Sequence, residues 1–549
     1  MNKRLKRTFA ATMACMLVTS AVGCGSAKTD DKGGQVPATT TGTELSADEP
    51  GWQRNSDDKV DLQWYMNFSW FTTPWGEDIT SQKITEETGV NVEFIVPAGN
   101  EAEKLNTMIA SDTLPDLITL GWWEGQIAEM IDSDMVYALN ELAEQYDPYF
   151  FKVADESRLG WYTQEDGNIY GYPNSSFSPE DYEKYDNIAS NQTFLVRKDI
   201  YEAIGSPDMS TPEGFLGALK KAKEMFPEVN GQPLIPIGFD EFTETGNYTI
   251  EKYLQDFLAI PYEKDGELYD RMTDPDYVNW LKVFNEAGRE GLLADDIFID
   301  KRSQMAEKIA QGRYFAMMYQ RTDIAAEQKI LYNNDPNSIY IAVDGPKNSN
   351  GDDPVLQGGG IAGWTVTLIS KNCERPDRAI EFLSYLMSEH GQKMVFLGPE
   401  GETYDMVDGK PVVKPEVKEL LQTDRTAYDR KYGADDTFWM LQDLAMQLQW
   451  SEGPQEPLKQ LEEWTYPYTT FLSQYEGLTP SVGTEEEVIS LKIGRLWGET
   501  LPKLLLAKTD AEFDEIFNKY VTERDALGYS KLVELQQQIL NKNKEKLGL

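Results

Sequence analysis

The sequence predicts an α/β chain with an extended helical C-terminal part. Three observations carry that reading. From Val60 onward, strand and helix patterns alternate as β-loop-α-β-α-β, the order of a parallel sheet with crossover helices. After about residue 400 the alternation gives way to amphipathic helices. At 549 residues the chain also exceeds what one hydrophobic core serves, so two or more domains are expected.

Composition narrows the function. There are 51 Lys and Arg against 93 Asp and Glu, a formal charge of −42, which disfavours nucleic acid and anionic membrane surfaces as partners. With one histidine and three cysteines, scattered from Cys15 to Cys373, a zinc site of the usual Cys/His type is not expected, nor is any other metal or cofactor. A Ser-His-acid triad would have to use His390. Its setting, Ser388-Glu389-His390-Gly391, reads as a helix C-terminus, where the helix dipole alone favours a histidine.

The chain opens with a leader. Lys3, Arg4, Lys6 and Arg7 precede an apolar run from Phe9 to Val22. The run is shorter than the roughly 18–20 residues a spanning helix needs. It ends in Ala21-Val22-Gly23-Cys24, which resembles a bacterial lipobox with Ala21 where Leu is usual. That resemblance implies a signal peptide over 1–23, lipidation of Cys24 (diacylglycerol and palmitate) and anchoring at the extracellular face of the cell membrane. The alternative is an ordinary secretory signal with an incidental cysteine. With Cys15 removed, Cys373 is the only other thiol and no internal disulfide can form. Residues 24–57, rich in Gly, Ser, Thr, Asp and Pro, read as a flexible tether.

The elements follow in order. Val60–Phe68 alternates as a first strand, and Asp78–Thr88 is a helix stopped by Gly89. Val90–Val96 is a second strand and Glu101–Ala110 a second helix. Leu117–Leu120 is a third strand, bounded by Pro115 and Gly121, and Trp122 and Trp123 stand just past it. Ligands in open α/β sheets sit outside strand carboxyl ends, so these two are candidates for a binding surface. Adjacent residues point opposite ways, so one is expected to face solute and the other to pack inward. Met135–Tyr146 is an amphipathic helix, and a turn at 166–168 leads to a short strand closed by Pro173. Asn191–Arg197, Leu234–Phe239, Tyr314–Met318, Ile339–Val343 and Trp364–Ser370 are further strands. Helices are expected over 199–205, from Thr211, and over 277–290, 305–311 and 376–388. In the tail, Phe438, Leu441, Leu444, Ala445 and Leu448 form one helical stripe, and 488–506 and 532–540 are two more helices.

Taken in order, several segments resemble the family 1 extracellular solute-binding proteins of bacterial ABC transporters, and within them the large alginate-oligosaccharide-binding-like lipoproteins. The carrying stretches are Ser111–Ile118, Asp166–Pro173, Phe194–Ile200, Gln311–Met318, Pro376–Leu383, Gly401–Tyr404 and Leu527–Tyr529. The resemblance implies a two-lobed, periplasmic-binding-protein-like (type II) fold that closes on a solute by a hinge. It places one lobe at about 58–168 plus 335–400 and the other at about 169–334 plus 401–549. It further implies a monomer without catalysis, binding an oligosaccharide or another polar solute and docking on ABC permease subunits. The branch carries a calcium loop that Pro227–Pro233 does not match, so no calcium is expected there.

A sugar site needs aromatic faces with a few placed polar groups. The candidates are Trp70 and Trp75 after the first strand, Trp122 and Trp123 after the third, and Tyr319, Gln320 and Arg321 at a strand end of the other lobe. Asn174 and Ser175 lie beside an inferred crossing. Trp364 is placed less well because it opens a strand, and Trp439 and Trp450 fit the core better than a cleft wall. A secreted glycoside-active enzyme and a cell-surface adhesin remain the rival readings.

Overall fold

The structure is a computed structural model that describes residues 45–549. The leader, Cys24 and most of the expected tether lie outside the described residues. The first described elements already depart from that tether. Helix α1 (Gly51–Arg54) is docked, with Trp52 buried edge-on against Tyr385 at 4.9 Å and the Gly51 N–H donating to Asp147 at 2.9 Å. The polar composition of 45–57 hid this, because one tryptophan and one buried carboxylate suffice to hold the segment.

Nine strands build two sheets: β1 (Val60–Met66), β2 (Val90–Ile95), β3 (Leu117–Gly121), β4 (Gly171–Pro173), β5 (Gln192–Arg197), β6 (Ile235–Gly238), β7 (Tyr314–Gln320), β8 (Tyr340–Ala342) and β9 (Thr365–Ile369). The first sheet has the order β2-β1-β3-β9-β4 and the second β8-β5-β7-β6. In the first, β1, β2 and β3 are parallel, and β9 runs antiparallel to both its neighbours. A buried polar ladder crosses it: the Trp64 indole donates to Thr119, whose hydroxyl meets that of Thr367, each step 2.8 Å. These groups are fully buried, so each needs the partner it has.

Helices α2 (Ile79–Thr88) and α3 (Glu101–Ala110) connect the parallel strands. Asp78 caps α2 by accepting from the Ser81 N–H, and Gly89 ends it at φ 75°, as the sequence signals require. Later come α4 (Glu156–Tyr162), α5 (Pro212–Met225), α6 (Pro275–Arg289), α7 (Pro376–Met387) and α8 (Glu389–Leu397). The tail supplies α9 (Glu485–Leu505), α10 (Asp510–Ala526) and α11 (Tyr529–Leu547). Asn285 on α6 donates to the carbonyls of Leu504, Leu505 and Ala507, satisfying the end of α9 and fixing the tail to the second lobe. Among the described residues no helix is long and apolar enough to cross a membrane.

Four sequence expectations shift. Strand β4 pairs with β9 and β8 pairs with β5, so 171–173 stays with the first sheet and 340–342 with the second. The chain crosses after these strands, a few residues later than the expected 168/169 and 334/335. Residues near 438 join the first lobe rather than the second: Phe438, Trp439, Met440 and Leu441 share one core with Trp64 and Phe382. The apolar stripe there is not one helix but two single turns, Trp439–Leu441 and Leu444–Gln447, between extended residues. The fourth shift is His390, which lies in the first turn of α8, capped by Ser388, and not at a helix C-terminus. Its position is set by Glu87, 2.7 Å from its Nε2, and by parallel stacking on Trp52.

Candidate functional site

Strand direction assembles the site. Because β9 is antiparallel to β3, the start of β9 lies beside the end of β3, with Thr365 opposite Gly121. Trp364 is thereby brought to the rim that carries Trp122, whose backbone N–H donates to the Trp364 carbonyl. The second sheet repeats the arrangement: Gln192 at the start of β5 lies opposite Gln320 at the end of antiparallel β7. Between the two rims is a cavity of about 590 Å³. Trp122, Ser175 and Trp364 line it from the first lobe, Gln192, Gln320, Arg321 and Tyr253 from the second, and Glu476 from the tail.

The polar side chains are held in place before any solute arrives. Gln320 accepts from the Tyr253 hydroxyl at 3.1 Å and donates to Thr322 and Asp323, which fixes its amide. Gln192 donates to Asp256 at 2.8 Å, and Asp256 is itself held by Arg271 at 2.7 Å and the Tyr262 hydroxyl at 2.9 Å. Arg321 donates to the Ser190 carbonyl at 2.7 Å and to Glu462 at 2.9 Å, and burial holds its guanidinium below the usual arginine pKa. Burial pushes Glu476 up to about 7 and Asp436, also on the cavity wall, up to about 8. Glu476 accepts from the Ala362 N–H at 3.1 Å and from the Gln357 amide at 3.4 Å, tying the tail to the crossing segment. That segment passes close by: a Cβ on Gly360 would lie 1.7 Å from Glu476 Oε1, and one on Gly359 2.3 Å from the Phe177 ring.

The expected residues divide. Trp122, Gln320, Arg321, Trp364 and Ser175 come together on the cavity. Trp70 stands just outside it, 58% exposed and parallel to Trp364 at 6.0 Å and 8°. Trp439, 4.5 Å from Trp364 and 5.6 Å from Trp70, is buried beneath them in the first-lobe core, where the sequence placed it. Trp123 is 56% exposed and edge-on to Trp122, its ring lying over Gly121, so it neither lines the cavity nor packs inward. Trp450 is on another face, under the Lys393 ammonium.

Three candidates prove structural. Trp75 is buried among Phe94, Phe382 and Phe438, with its indole donating to Thr85 at 2.9 Å, because the loop after β1 folds back onto the core. Tyr319 is the inward-facing neighbour of Gln320 on β7 and packs in the second core. Asn174 is fully buried, donating to the Trp439 carbonyl at 2.9 Å and accepting from the Thr365 N–H at 2.8 Å. It joins three segments and, being fully buried, does not line the cavity.

Sequence reasoning missed Asn191, Gln192, Tyr248, Tyr253, Asp436 and Glu476, which also line the cavity. It looked only past strand ends, whereas an antiparallel strand brings its start to the same rim. That rule finds Asn191 and Gln192; the others come from helices and loops that carry no local signal.

Comparison with known proteins agrees with this architecture. Residues 69–393 match the model of the bacterial extracellular solute-binding proteins. The chain is 24% identical over 235 residues to the fructooligosaccharide ABC transporter substrate-binding protein FusA of Streptococcus pneumoniae serotype 4, a match covering 40% of this chain and 42% of that relative. It thus spans about two fifths of the relative's length. Among solved structures, FusA in complex with kestose superposes with a TM-score of 0.65 at 15% identity, covering 88% of this chain and 100% of that one. The alginate-binding protein AlgQ2 without calcium ion superposes with a TM-score of 0.64 at 19% identity, covering 88% and 99%. At these identities the superpositions show a shared fold.

Proposed function

Because the chain belongs to the bacterial extracellular solute-binding proteins, we propose that it captures an oligosaccharide between its lobes and delivers it to an ABC importer. One observation carries this reading: a cavity with indole faces on one rim and prefixed amides and carboxyls on the other. The C–H face of a pyranose or furanose ring packs on the indole, and its hydroxyls bond to Gln192, Gln320 and Glu476. A solute touching both rims favours the closed arrangement of the lobes over the open one, which is hinge closure by population shift. The relatives named for fructooligosaccharide and alginate binding support an oligosaccharide over a peptide.

The test is a thermal-shift and calorimetric screen of the soluble body against kestose and other defined glycans. A ligand at a hundred times its Kd stabilises the fold by about 2.7 kcal/mol. Stoichiometric binding with a smaller radius of gyration in solution scattering is the expected result. Release of reducing ends during the same incubation would reassign the protein to the glycoside-active enzymes. The anchor is a separate part of the proposal: metabolic labelling with a fatty acid should mark the secreted chain, and Cys24→Ser should release it into the medium.

A further inference from the structure

Four charged side chains line the cavity: Arg321, Asp436, Glu462 and Glu476. The only cation among them is already engaged, since Arg321 holds Glu462 with one arm and the Ser190 carbonyl with another. Lys252, which does not line the cavity, is turned onto the Tyr262 hydroxyl and lies 3.5 Å from Asp256. Asp435, beside Asp436, is paired with Arg425 at 2.8 Å. Glu476 and Asp436 therefore face the cavity with no salt bridge among the described residues, hydrogen-bonded by neutral donors such as Ala362 N–H and Gln357 for one and Gln447 at 2.8 Å for the other, with Lys252 and Arg425 acting on them only through space.

We propose that this cleft selects uncharged glycans and excludes uronate-bearing ones, and that Glu476 and Asp436 set the choice. The inference rests on the oligosaccharide reading above and narrows its substrate class. Carboxylates are acceptors, so they take hydrogen bonds from sugar hydroxyls, and such charge-assisted bonds are stronger than neutral ones. When the two carboxyls are ionised, a sugar carboxylate in the same place brings like charge into a partly desolvated site whose one lining cation, Arg321, is already paired with Glu462. Specificity then comes as much from rejecting the wrong solute as from holding the right one. The remaining polar lining, Asn187, Asn191, Gln192, Gln320 and Gln357, is neutral and suits hydroxyls.

The experiment compares matched pairs by calorimetry at pH 9, where both carboxyls are ionised, and low salt: cello-, manno- and galacto-oligosaccharides against their C6-oxidised uronate counterparts, with kestose as an additional neutral probe. The expected result is binding confined to the neutral members, or at least about 30-fold tighter for them. In Glu476→Gln combined with Asp436→Asn the gap should narrow to within about fivefold. Glu476→Gln alone, which keeps an acceptor for the Ala362 N–H, serves if the double variant does not fold, and should narrow the gap partway. A uronate that binds as tightly as its neutral partner overturns this inference and leaves the solute-binding function standing. A gap that persists unchanged in the folded variants removes the assignment to these two residues. If no glycan of either set binds, the oligosaccharide reading itself falls, and this inference with it.

Discussion

Replacing Trp122 by alanine should weaken solute binding by about 30- to 150-fold, while Trp123→Ala should change it by less than about twofold. The magnitude follows from the indole face on the cavity. A tryptophan covers about 150–250 Å² when wholly enclosed, so one face accounts for about half of that. At about 25 cal/mol per Å² the loss is about 2–3 kcal/mol, and each 1.4 kcal/mol is tenfold in Kd. Trp123, exposed and outside the cavity, has no such face to lose. The assay is calorimetric titration of both variants with the best glycan from the screen, with melting curves to confirm that each is folded. Equal effects from the two residues, or a larger one from Trp123, would show that the rim is wrongly oriented and would refute the reasoning.

Three further outcomes are expected. Trp75→Ala, which empties a core position, should destabilise the first lobe by about 3–5 kcal/mol and lower its melting temperature, yet leave the affinity of the folded fraction unchanged in titrations well below the transition. Gly360→Ala places a methyl group against Glu476 and should weaken binding at least tenfold, whereas Gly217→Ala, with open space around it, should not. The third concerns pH. Glu476, held near 7 in the folded protein and near 4.3 unfolded, makes the native state the better proton binder across that interval, so stability falls as pH rises through it. Asp436, raised to about 8, carries the same fall higher. Melting temperatures measured from pH 5 to 8.5 should decline, with a shallower slope in Glu476→Gln; a rise over this range would contradict the buried-carboxyl account.

The fold was legible where local signals and pairing agree. Asp78, Gly89 and the alternation in Val60–Met66 announce a helix and a strand, and the structure has both. Half-legible were residues whose role depends on which strand lies alongside. Trp364 opens its strand, so a rule based on strand ends undervalues it, and only the antiparallel insertion of β9 moves it to the rim. Illegible were residues placed by distant chain. Glu476 reaches the cavity because Asn543 on α11 holds the Gln474 and Glu476 carbonyls, and nothing near residue 476 in sequence says so. Trp75 and Trp70 occupy the same loop with the same composition, yet one closes a core and the other stands in solvent. Their difference is decided by Phe382 and Phe438, more than 300 residues away in the chain.

The insertion of β9 bears on how the molecule is made. Thr119 and Thr367, hydrogen-bonded across β3 and β9, are 248 residues apart. Until the later strand exists, β3 has an open edge, and such edges invite pairing with other chains. Contacts of this span also close slowly, since the loop entropy must be overcome before the pairing contributes. The first sheet therefore cannot finish ahead of the second, although it begins first. A chain made from its N-terminus has no complete first sheet until Ile369 is in place, and the first-lobe core waits longer still, for Phe438–Leu441. The order of strands that shapes the cleft also leaves β3 dependent on protection from neighbouring chains until β9 has been made.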